Sequence, residues 1–220
     1  MINIQKQKKD SFSEALKYSL SINDNIGNEI GKLIPIGNWA LNDKNLLSSF
    51  ASWRKKFSHF FFTTFKTSAQ STKTYLKNVS IAQTNRILFC VYFDNNLIGH
   101  MGLSEISSRE ALLDNFIRGE SGGHSNLMYF AEKTLISWAF EELMLEKLLG
   151  RMMSNNFLAN SLHESFGFKL QKRLPLKKVI TKNSFTFEEC EKVEATEKFY
   201  LDIIELNKSS FKDIVKNSKI

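Results

Sequence analysis

The chain has few residues that could form cross-links or bind metal. Its 220 residues include two cysteines, two prolines and four histidines. Cys90 lies in an apolar run and Cys190 in an acidic segment, a spacing that fits neither a redox motif nor a zinc site. We therefore expect no metal, a buried and unpaired Cys90, and a reducing compartment, by default the cytoplasm. His100, inside a strand-like run, is expected to be a satisfied core histidine rather than a ligand-binding one.

Long apolar runs are absent as well. No stretch approaches the roughly 20 apolar residues that cross a bilayer, and residues 1–10, MINIQKQKKD, lack the apolar core of a signal peptide. The formal net charge of +7 comes mainly from lysines scattered through the tails and residues 172–182. Because nucleic-acid binding is typified by clustered basic stripes, we expect no nucleic-acid or membrane partner. The alternative is that the positive charge produces an electrostatic field that attracts an anionic cofactor.

Apolar and aromatic residues are abundant. Hydrophobic residues make up 42% of the chain, and 19 phenylalanines stand against 5 tyrosines. This content is too high for a disordered protein and predicts one domain with a thick core. We expect an N-terminal arm with a short helix and a Gly/Asn-rich linker (1–31), a main domain (32–207) and a C-terminal helix or tail (208–220).

The order of elements predicts a mixed sheet. Two apolar runs flank Asp94-Asn95-Asn96, which suits a tight hairpin turn, and a strand at 111–120 completes an antiparallel meander. A helix at 127–143 and a strand near 147–152 then require a crossover and a parallel strand pair. The fold class is thus α/β (α+β), one domain with a mostly antiparallel sheet flanked by helices. Two later segments can complete the sheet as an antiparallel pair, 169–180 and 198–206.

Three segments carry a recognisable pattern. Residues 156–168, NFLANSLHESFGF, match N-x-x-A-x-x-L-Y-x-x-x-G-F at every marked position except His163. LIGHMGL at 97–103 is similar to I-G-x-x-G-L, and 131–148 is similar to A-x-x-x-L-x-x-x-A-F-x-x-L-x-L-x-x-L. Together they resemble the GCN5-related N-acetyltransferase superfamily. The resemblance implies a central splayed parallel strand pair and acetyl-coenzyme A as cosubstrate.

The resemblance also implies how the cofactor is held. A bulge in the strand 114–118 would splay it from the strand 148–152, so that free backbone groups bind the pantetheine like an added strand. The pyrophosphate would meet the turn and helix start at 123–128, and the second helix would contact the cofactor near its N-terminus. The residues so implied are Phe116, Ile117, Arg118, Gly123, His124, Ser125, Asn126, Leu127, Met128, Asn155, Asn156 and Ala159.

The pyrophosphate turn departs from the family pattern, in which Arg or Gln is followed by G-x-G or G-x-A. Here Gly123 stands at the basic position, and Asn126 and Met128 stand where the glycines usually are. The physical need is for several backbone N–H groups at a helix N-terminus, and the polar turn 121–126 can supply them. The affinity for coenzyme A is the property that this departure affects.

Acyl transfer to an amine needs a base for the ammonium and a proton source for the leaving thiolate. Asp114, a carboxylate in an apolar strand where an unpaired charge is costly, is the first candidate base, ahead of Glu105 and Glu120. The alternatives are that Asp114 pairs with a neighbour such as Arg118 or faces solvent, and that both glutamates are surface acids. His163 is the candidate acid, because many family members have a proton-donating tyrosine there; otherwise it only touches the cofactor.

The aromatic segment HFFFTTF allows two interpretations. Phe60, Phe61, Phe62 and Phe65 are interpreted as core, because burial of each side chain is worth about 2 kcal/mol and an exposed apolar patch is a liability. The alternative is a wall of the acceptor site.

The leading hypothesis for function is an acetyl-coenzyme A-dependent N-acetyltransferase. It would transfer the acetyl group directly to a primary amine of a small molecule, with a nucleotide-linked amino sugar ahead of an amino acid or polyamine. The motifs DNFIRGE and KFYLDII are similar to a branch associated with bacterial sugar and surface-polysaccharide pathways. The alternatives are a protein N-terminal acetyltransferase of the ribosomal-protein type and a degenerate fold used only for binding. A monomer or homodimer is expected.

Overall fold

Short strands of one sheet alternate along the chain with helices that cover both faces of the sheet. The computed structural model describes residues 3–182 and 184–217. The strands are β1 Leu20–Asn23, β2 Glu29–Pro35, β3 Thr63–Phe65, β4 Ile87–Phe93, β5 Asn96–Ser104, β6 Glu110–Arg118, β7 Lys147–Met153, β8 Lys169–Ile180, β9 Ser184–Glu189 and β10 Tyr200–Asn207. The α-helices are α1 Phe12–Leu16, α2 Lys44–Lys56, α3 Ala69–Tyr75, α4 Leu127–Glu141, α5 Phe157–Ser165 and α6 Lys208–Asn217. A π-helical turn, Leu76–Ile81, extends α3.

The strands form one sheet in the order β1-β2-β4-β5-β6-β7-β10-β8-β9-β3. The pair β6–β7 is parallel, and the other pairs in the described part of the chain are antiparallel. The predicted mixed, mostly antiparallel sheet is therefore confirmed. The hairpin turn between β4 and β5 is confirmed too, because Asp94 and Asn95 have φ angles of 44° and 62°, the left-handed geometry of a tight hairpin.

Strand β4 shows why the sheet has a core on each side. Ile87, Phe89 and Val91 pack into the cluster beneath α4, whereas Leu88 and Cys90 pack into the cluster beneath α2. Side chains alternate between the two faces of a strand, so a strand covered on both faces must be apolar throughout. Cys90 is buried and unpaired, as predicted.

The N-terminal region differs from the prediction. The expected linker over residues 21–32 is instead the β1–β2 hairpin, in which Ile22 is fully buried. Residues before α1 are also docked, because Ile4 is buried and the Lys8 ammonium donates to three carbonyl oxygens at the end of the π-helical turn. The pattern was misleading because Gly27, with φ of 89°, marks a turn within a hairpin rather than a flexible connection.

The division of the chain into 1–31, 32–207 and 208–220 stays a prediction, and residues 1–2 and 218–220 lie outside the described residues.

The aromatic segment after α2 also differs from the prediction. Phe60, Phe61 and Phe62 are only half-buried, and Phe65 is 46% exposed, so the core interpretation was wrong. The segment forms β3, which pairs with β9, a strand that lies within the acidic segment predicted only as a connection. This pairing brings the far end of the sheet next to α2 and places the phenylalanines around a cavity.

Candidate functional site

The sheet opens between β6 and β7. Their parallel pairing covers three residue pairs and ends at Leu112 and Leu149. Beyond that point β6 continues along β5 as far as Arg118, while β7 stays paired with β10 as far as Met153. Among the described residues, no strand pairs with the edge of β6 that faces β7 from Leu113 onward. The predicted splayed pair is present, and it leaves backbone groups to which an extended ligand can bind.

A bulge in β6 determines which side chains face each side of this opening. Between His100 and Gly102, β6 contains one residue more than β5, and Asn115 has a φ of 53°. This is the predicted bulge. Because of it, Phe116 packs toward the cluster beneath α4, while Ile117 packs toward the cluster beneath α2. The adjacent residues Phe116 and Ile117 of β6 therefore contact opposite faces of the opening.

The opening leads into a cavity of about 1220 Å³, the central cavity, which extends to both faces of the sheet. On one face it is lined by residues of α4 and α5, and on the other by residues of α2, α3, β3 and β9. Those of the α4/α5 face include Met128, Asn156, Ala159, Leu162 and His163. Those of the α2/α3 face include Arg54, Phe60, Phe61, Phe62, Phe65, Tyr75, Arg86, His100, Asp114 and Phe187.

The start of α4 has the geometry of an anion site. Its first intrahelical hydrogen bond runs from Phe130 N–H to Asn126 O, and the Asn126 side chain does not cap the helix. The N–H groups of Met128 and Tyr129 come before that bond, so they are available to an anionic group. A 15-residue helix adds its dipole to this attraction.

A basic side chain does lie at this turn, although not at the family's usual position. The Arg118 guanidinium donates to Gly122 O at 2.8 Å and to Ser125 O at 3.2 Å. It therefore holds the loop in shape from the end of β6. The residues present fit the pyrophosphate of coenzyme A, and the missing motif at Gly123 does not remove the site. The signal that could have shown this is a basic residue ending the strand just before a Gly-rich turn.

The fold places the remaining predicted cofactor residues in different environments. The Asn156 side chain caps α5 by accepting from Ala159 N–H at 3.4 Å, and both residues line the central cavity. Asn155 is exposed and is not part of the lining. Leu127 is fully buried, and its N–H donates to His124 O at 2.9 Å, so it supports the turn rather than offering a group to a ligand. Three of the others form the turn before α4 with Gly123, namely His124, Ser125 and Asn126.

His163 is held by a buried glutamate. Its Nδ1 donates to Glu132 Oε1 at 2.5 Å, and the residues are 5% and 0% exposed. Glu132 Oε2 has no hydrogen-bond partner among the described residues. A carboxylate this deeply buried is costly unless it is hydrogen-bonded, so the contact with Glu132 fixes the orientation of the His163 ring. With Nδ1 committed to Glu132, Nε2 is the nitrogen left for the cavity that His163 lines.

Asp114 lies on the opposite face of the opening. Arg86 Nη1 forms a very short ion pair with Asp114 Oδ2, and Asn115 Nδ2 donates to the same oxygen at 2.9 Å. The partner is therefore Arg86 rather than the expected neighbour Arg118. Burial raises the pKa of Asp114, while Arg86 and Asn115 act to lower it. Both contacts use Oδ2, so Oδ1 remains to accept a proton from a ligand in the cavity.

The other candidate bases are less well placed. Glu105 is exposed and lines the rim of the central cavity. Glu120 is exposed, is not part of the lining, and accepts a hydrogen bond from Trp53 Nε1 at 2.8 Å. The structure therefore brings Asp114 and Glu105 to the cavity and leaves Glu120 outside.

His100 is satisfied by the backbone, in agreement with the prediction. Its Nδ1 donates to Asn115 O at 2.6 Å, and its ring lies 4.4 Å from that of Phe50. Burial lowers the pKa of His100 to about 4, with a further decrease from Arg54, against the hydrogen bond to Asn115. His100 is therefore neutral at physiological pH, and its ring fixes the bulge in β6.

The stability of the protein is expected to fall as the pH decreases from about 6.5 to about 4. In this range the unfolded chain binds a proton at His100, whereas the folded protein, with a pKa of about 4, does not. Stability contributed by neutral His100 is thus complete above 6.5 and is lost by up to about 3 kcal/mol near pH 4. Denaturant unfolding at several pH values measures this loss, and it should be smaller in His100→Gln; parallel curves for the two proteins would contradict it.

Two further kinds of feature, a metal-binding cluster and a membrane-spanning helix, are absent from the described part of the chain. Within residues 3–182 and 184–217, no group of three His, Cys, Asp or Glu side chains is arranged to hold a metal ion. No helix in that part of the chain is long and apolar enough to span a bilayer.

Comparison with known proteins gives a family match. Residues 43–208 match the model of the acetyltransferase (GNAT) domain. No curated protein sequence matches the chain.

Solved structures with the same fold are similar over most of their length. One is a probable acetyltransferase of the GNAT family from Chromobacterium violaceum, with a TM-score of 0.63 and 15% identity, covering 88% of this chain and 92% of that one. RimL, a ribosomal-protein α-N-acetyltransferase solved with coenzyme A, has a TM-score of 0.64 and 10% identity and covers 86% and 97%. FdhC, a nucleotide-linked sugar GNAT, has a TM-score of 0.60 and 14% identity and covers 90% and 97%.

The splayed β6–β7 pair, the anion site at α4 and the domain match over three quarters of the chain agree with the motifs in α4 and α5. The chain therefore belongs to the GNAT family of acetyltransferases and is an acyltransferase that uses acetyl-coenzyme A as donor.

Proposed function

We propose that this acetyltransferase acts on the primary amine of a small molecule, with a nucleotide-linked amino sugar as the first acceptor to test. The observation that carries the proposal is the wall of phenylalanines along the α2/α3 face of the central cavity. Strands β3 and β9 pair with each other beside α2, and Phe187 N–H donates to Phe62 O at 2.7 Å. A protein N-terminus needs an open groove for the following residues, whereas a small acceptor fits a walled pocket.

The phenylalanines of residues 60–65 and of β9 favour an acceptor with a flat or apolar part. Phe60, Phe61, Phe62, Phe65 and Phe187 all line the cavity, and aromatic side chains stack well on planar rings such as nucleobases. FdhC, described as a nucleotide-linked sugar GNAT, shares the fold. RimL shares it equally, so the support for a small acceptor comes from the walls of the pocket and not from these likenesses.

The two faces of the opening would divide the proton transfers. When bound, acetyl-coenzyme A supplies a thioester whose acetyl group passes to the amine. On the α2/α3 face, Asp114 Oδ1 accepts the proton of the acceptor ammonium. On the α4/α5 face, His163 Nε2 donates a proton to the departing sulfur, and Glu132 positions the imidazole. The N–C bond forms as the C–S bond breaks, and the nitrogen then loses a second proton to solvent, so that the amide and the thiol are both neutral. Asp114 returns to its starting state by releasing its proton to solvent, and His163 by taking one up.

The start of α4 and the unpaired edge of β6 are proposed to hold the cofactor. The N–H groups of Met128 and Tyr129 would bind the pyrophosphate, with Arg118 maintaining the loop. The unpaired edge of β6 at Phe116, Ile117 and Arg118 would bind the pantetheine arm by backbone hydrogen bonds.

Thiol release over a panel of acceptors tests this function. The panel contains nucleotide-linked amino sugars, free amino sugars, amino acids, polyamines and peptides, each at saturating acetyl-coenzyme A. Activity on at least one small-molecule class is expected, with the nucleotide-linked sugars fastest. Activity confined to peptides would favour the N-terminal acetyltransferase alternative, and failure to bind acetyl-coenzyme A in a titration would favour a fold used only for binding.

A further inference from the structure

The α2/α3 face of the central cavity contains a cation that the catalytic proposal does not use. Arg54, near the end of α2, lines the cavity and is half-buried. Its Nη2 donates to Thr63 O at 3.0 Å, and its guanidinium carbon lies 3.4 Å from the centre of the Phe61 ring. These contacts fix the guanidinium between α2 and β3.

Arg54 has no carboxylate partner among the described residues. Asp114 is paired with Arg86, and Glu189, which also lines the cavity, is paired with Arg151 at 3.0 Å. Burial lowers the pKa of Arg54 to about 10, against the effects of Tyr75 and Asp114, so the side chain remains a cation near neutral pH.

A guanidinium presents five N–H donors in a plane, and Arg54 donates one of them to the backbone carbonyl of Thr63. A half-buried guanidinium that faces a cavity and has no carboxylate partner is a strong donor to an anion, because its hydrogen bonds to carboxylate or phosphate are charge-assisted. Thr67, Ser71 and Thr72 also line the cavity, but the hydroxyls of Thr67 and Ser71 donate to Ala51 O and Ser68 O, so Arg54 is the charged donor of the site.

We infer that Arg54 forms an anion subsite in the acceptor pocket, and that the acceptor is an amine that also carries a carboxylate or phosphate group. This rests on the proposed function, since it assigns the α2/α3 face to the acceptor. Arg54 and Asp114 both line the α2/α3 face of the central cavity, so the anion would lie on the same face as the reacting amine. A flat or apolar part of the acceptor then contacts the phenylalanine wall, to which Phe61 belongs.

Acceptors compared in pairs, one member with an anionic group and one without it, test the subsite; in the UDP-glucosamine pair the uridine differs as well. The pairs are glucosamine 6-phosphate against glucosamine, UDP-glucosamine against glucosamine, and phenylalanine against phenylalaninamide, all at saturating acetyl-coenzyme A. The first two pairs test phosphate and the third tests carboxylate. The wild-type protein should prefer the anionic member of at least one pair by about tenfold or more in kcat/KM.

Variants show whether Arg54 is the source of this preference. Arg54→Met should abolish the preference, mainly by raising KM for the anionic member, while Arg54→Lys, which keeps the charge, should retain part of it. Lys55→Met is the matched control, because Lys55 is an exposed cation next to Arg54 on α2 and its loss should leave the preference unchanged. The subsite is refuted by equal use of both members in the wild-type protein, or by an equal loss for both members in Arg54→Met.

Equilibrium binding separates failure of the subsite from failure of the proposed function. UDP-glucosamine and phenylalanine are titrated into protein saturated with coenzyme A, so that the pyrophosphate site is already filled. Binding to the wild-type protein that is lost in Arg54→Met supports the subsite even if no acceptor is acetylated. If neither probe binds the wild-type protein at millimolar concentration, the subsite is overturned whatever the acetyltransferase activity.

Discussion

Replacing His163 by glutamine is expected to lower kcat by about 10²-fold, the scale of a general acid. Glutamine can still donate to Glu132 Oε1, so that the buried carboxylate keeps a partner, but it cannot supply a proton to sulfur. Affinity for coenzyme A should stay within about twofold of wild type, because the anion site lies at α4. Single-turnover acetyl transfer and a coenzyme A titration measure the two quantities.

Glu132 is expected to act only through His163, and a double-mutant cycle tests this. Glu132→Gln should lower kcat by about tenfold in the wild-type background, because the neutral amide is a weaker acceptor for Nδ1 and orients the imidazole less firmly. In the His163→Gln background the same change should have almost no further effect on kcat. Glu141→Gln, an exposed position on the same helix, is the control and should leave the rate unchanged.

Two outcomes would contradict this pairing. An equal loss from Glu132→Gln in both backgrounds would mean that Glu132 contributes through packing or stability, which thermal unfolding of the four proteins would show. An unchanged kcat in His163→Gln would mean that the thiolate leaves without a dedicated acid. In that case His163 only contacts the cofactor, the alternative that its sequence position allows.

The parts of the fold that depend on local sequence could be predicted. The hairpin at Asp94 and Asn95, the helix α4 and the cap at Asn156 each follow from turn chemistry, periodicity or a capping side chain within a few residues. The bulge in β6 and the splay from β7 came from the family resemblance, since no residue of 110–118 by itself signals an extra residue in the strand.

The predictions that were wrong concern contacts between segments that are far apart in the sequence. Phe60 to Phe62 were interpreted as core because phenylalanine favours burial, but their environment is set by pairing of β3 with β9, over a hundred residues later in the chain. The partner of Asp114 is Arg86, 28 residues away, rather than the neighbouring Arg118. Such partners follow from the order of the strands. The predicted antiparallel pairing of 169–180 with 198–206 is confirmed as β8–β10, but the sequence pattern did not predict β9 or its pairing with β3.

Glu132 was missed although the sequence carries a signal for it. It lies in α4 beside Ala131 and within the buried stripe of Leu135 and Ile136, where an acid is costly unless paired. The same argument singled out Asp114 in an apolar strand. Applied to helices as well, it would have paired Glu132 with His163, the one departure from the family pattern in α5.

Replacing Asp114 by asparagine is expected to lower kcat/KM for the acceptor by about 10²-fold at neutral pH. Asparagine preserves the shape of the side chain, and its carbonyl oxygen can still accept from Arg86, but it cannot take the proton of an ammonium. Coenzyme A affinity should be unchanged, because Asp114 lies on the α2/α3 face. Rates measured against acceptor concentration give kcat/KM, and a coenzyme A titration provides the second value.

The dependence of this defect on pH distinguishes a base from a structural residue. As the pH rises toward the pKa of the acceptor amine, more acceptor arrives already deprotonated, so the rate of Asp114→Asn should approach that of the wild-type protein. A loss caused by an unpaired Arg86 or a shifted bulge would be the same at every pH. Glu105→Gln and Glu120→Gln are the controls, since one carboxylate is exposed at the rim and the other is bound to Trp53 outside the cavity. If Glu105→Gln shows the larger, pH-dependent defect, the proton is accepted at the rim and Asp114 serves to hold Arg86 and Asn115 in place.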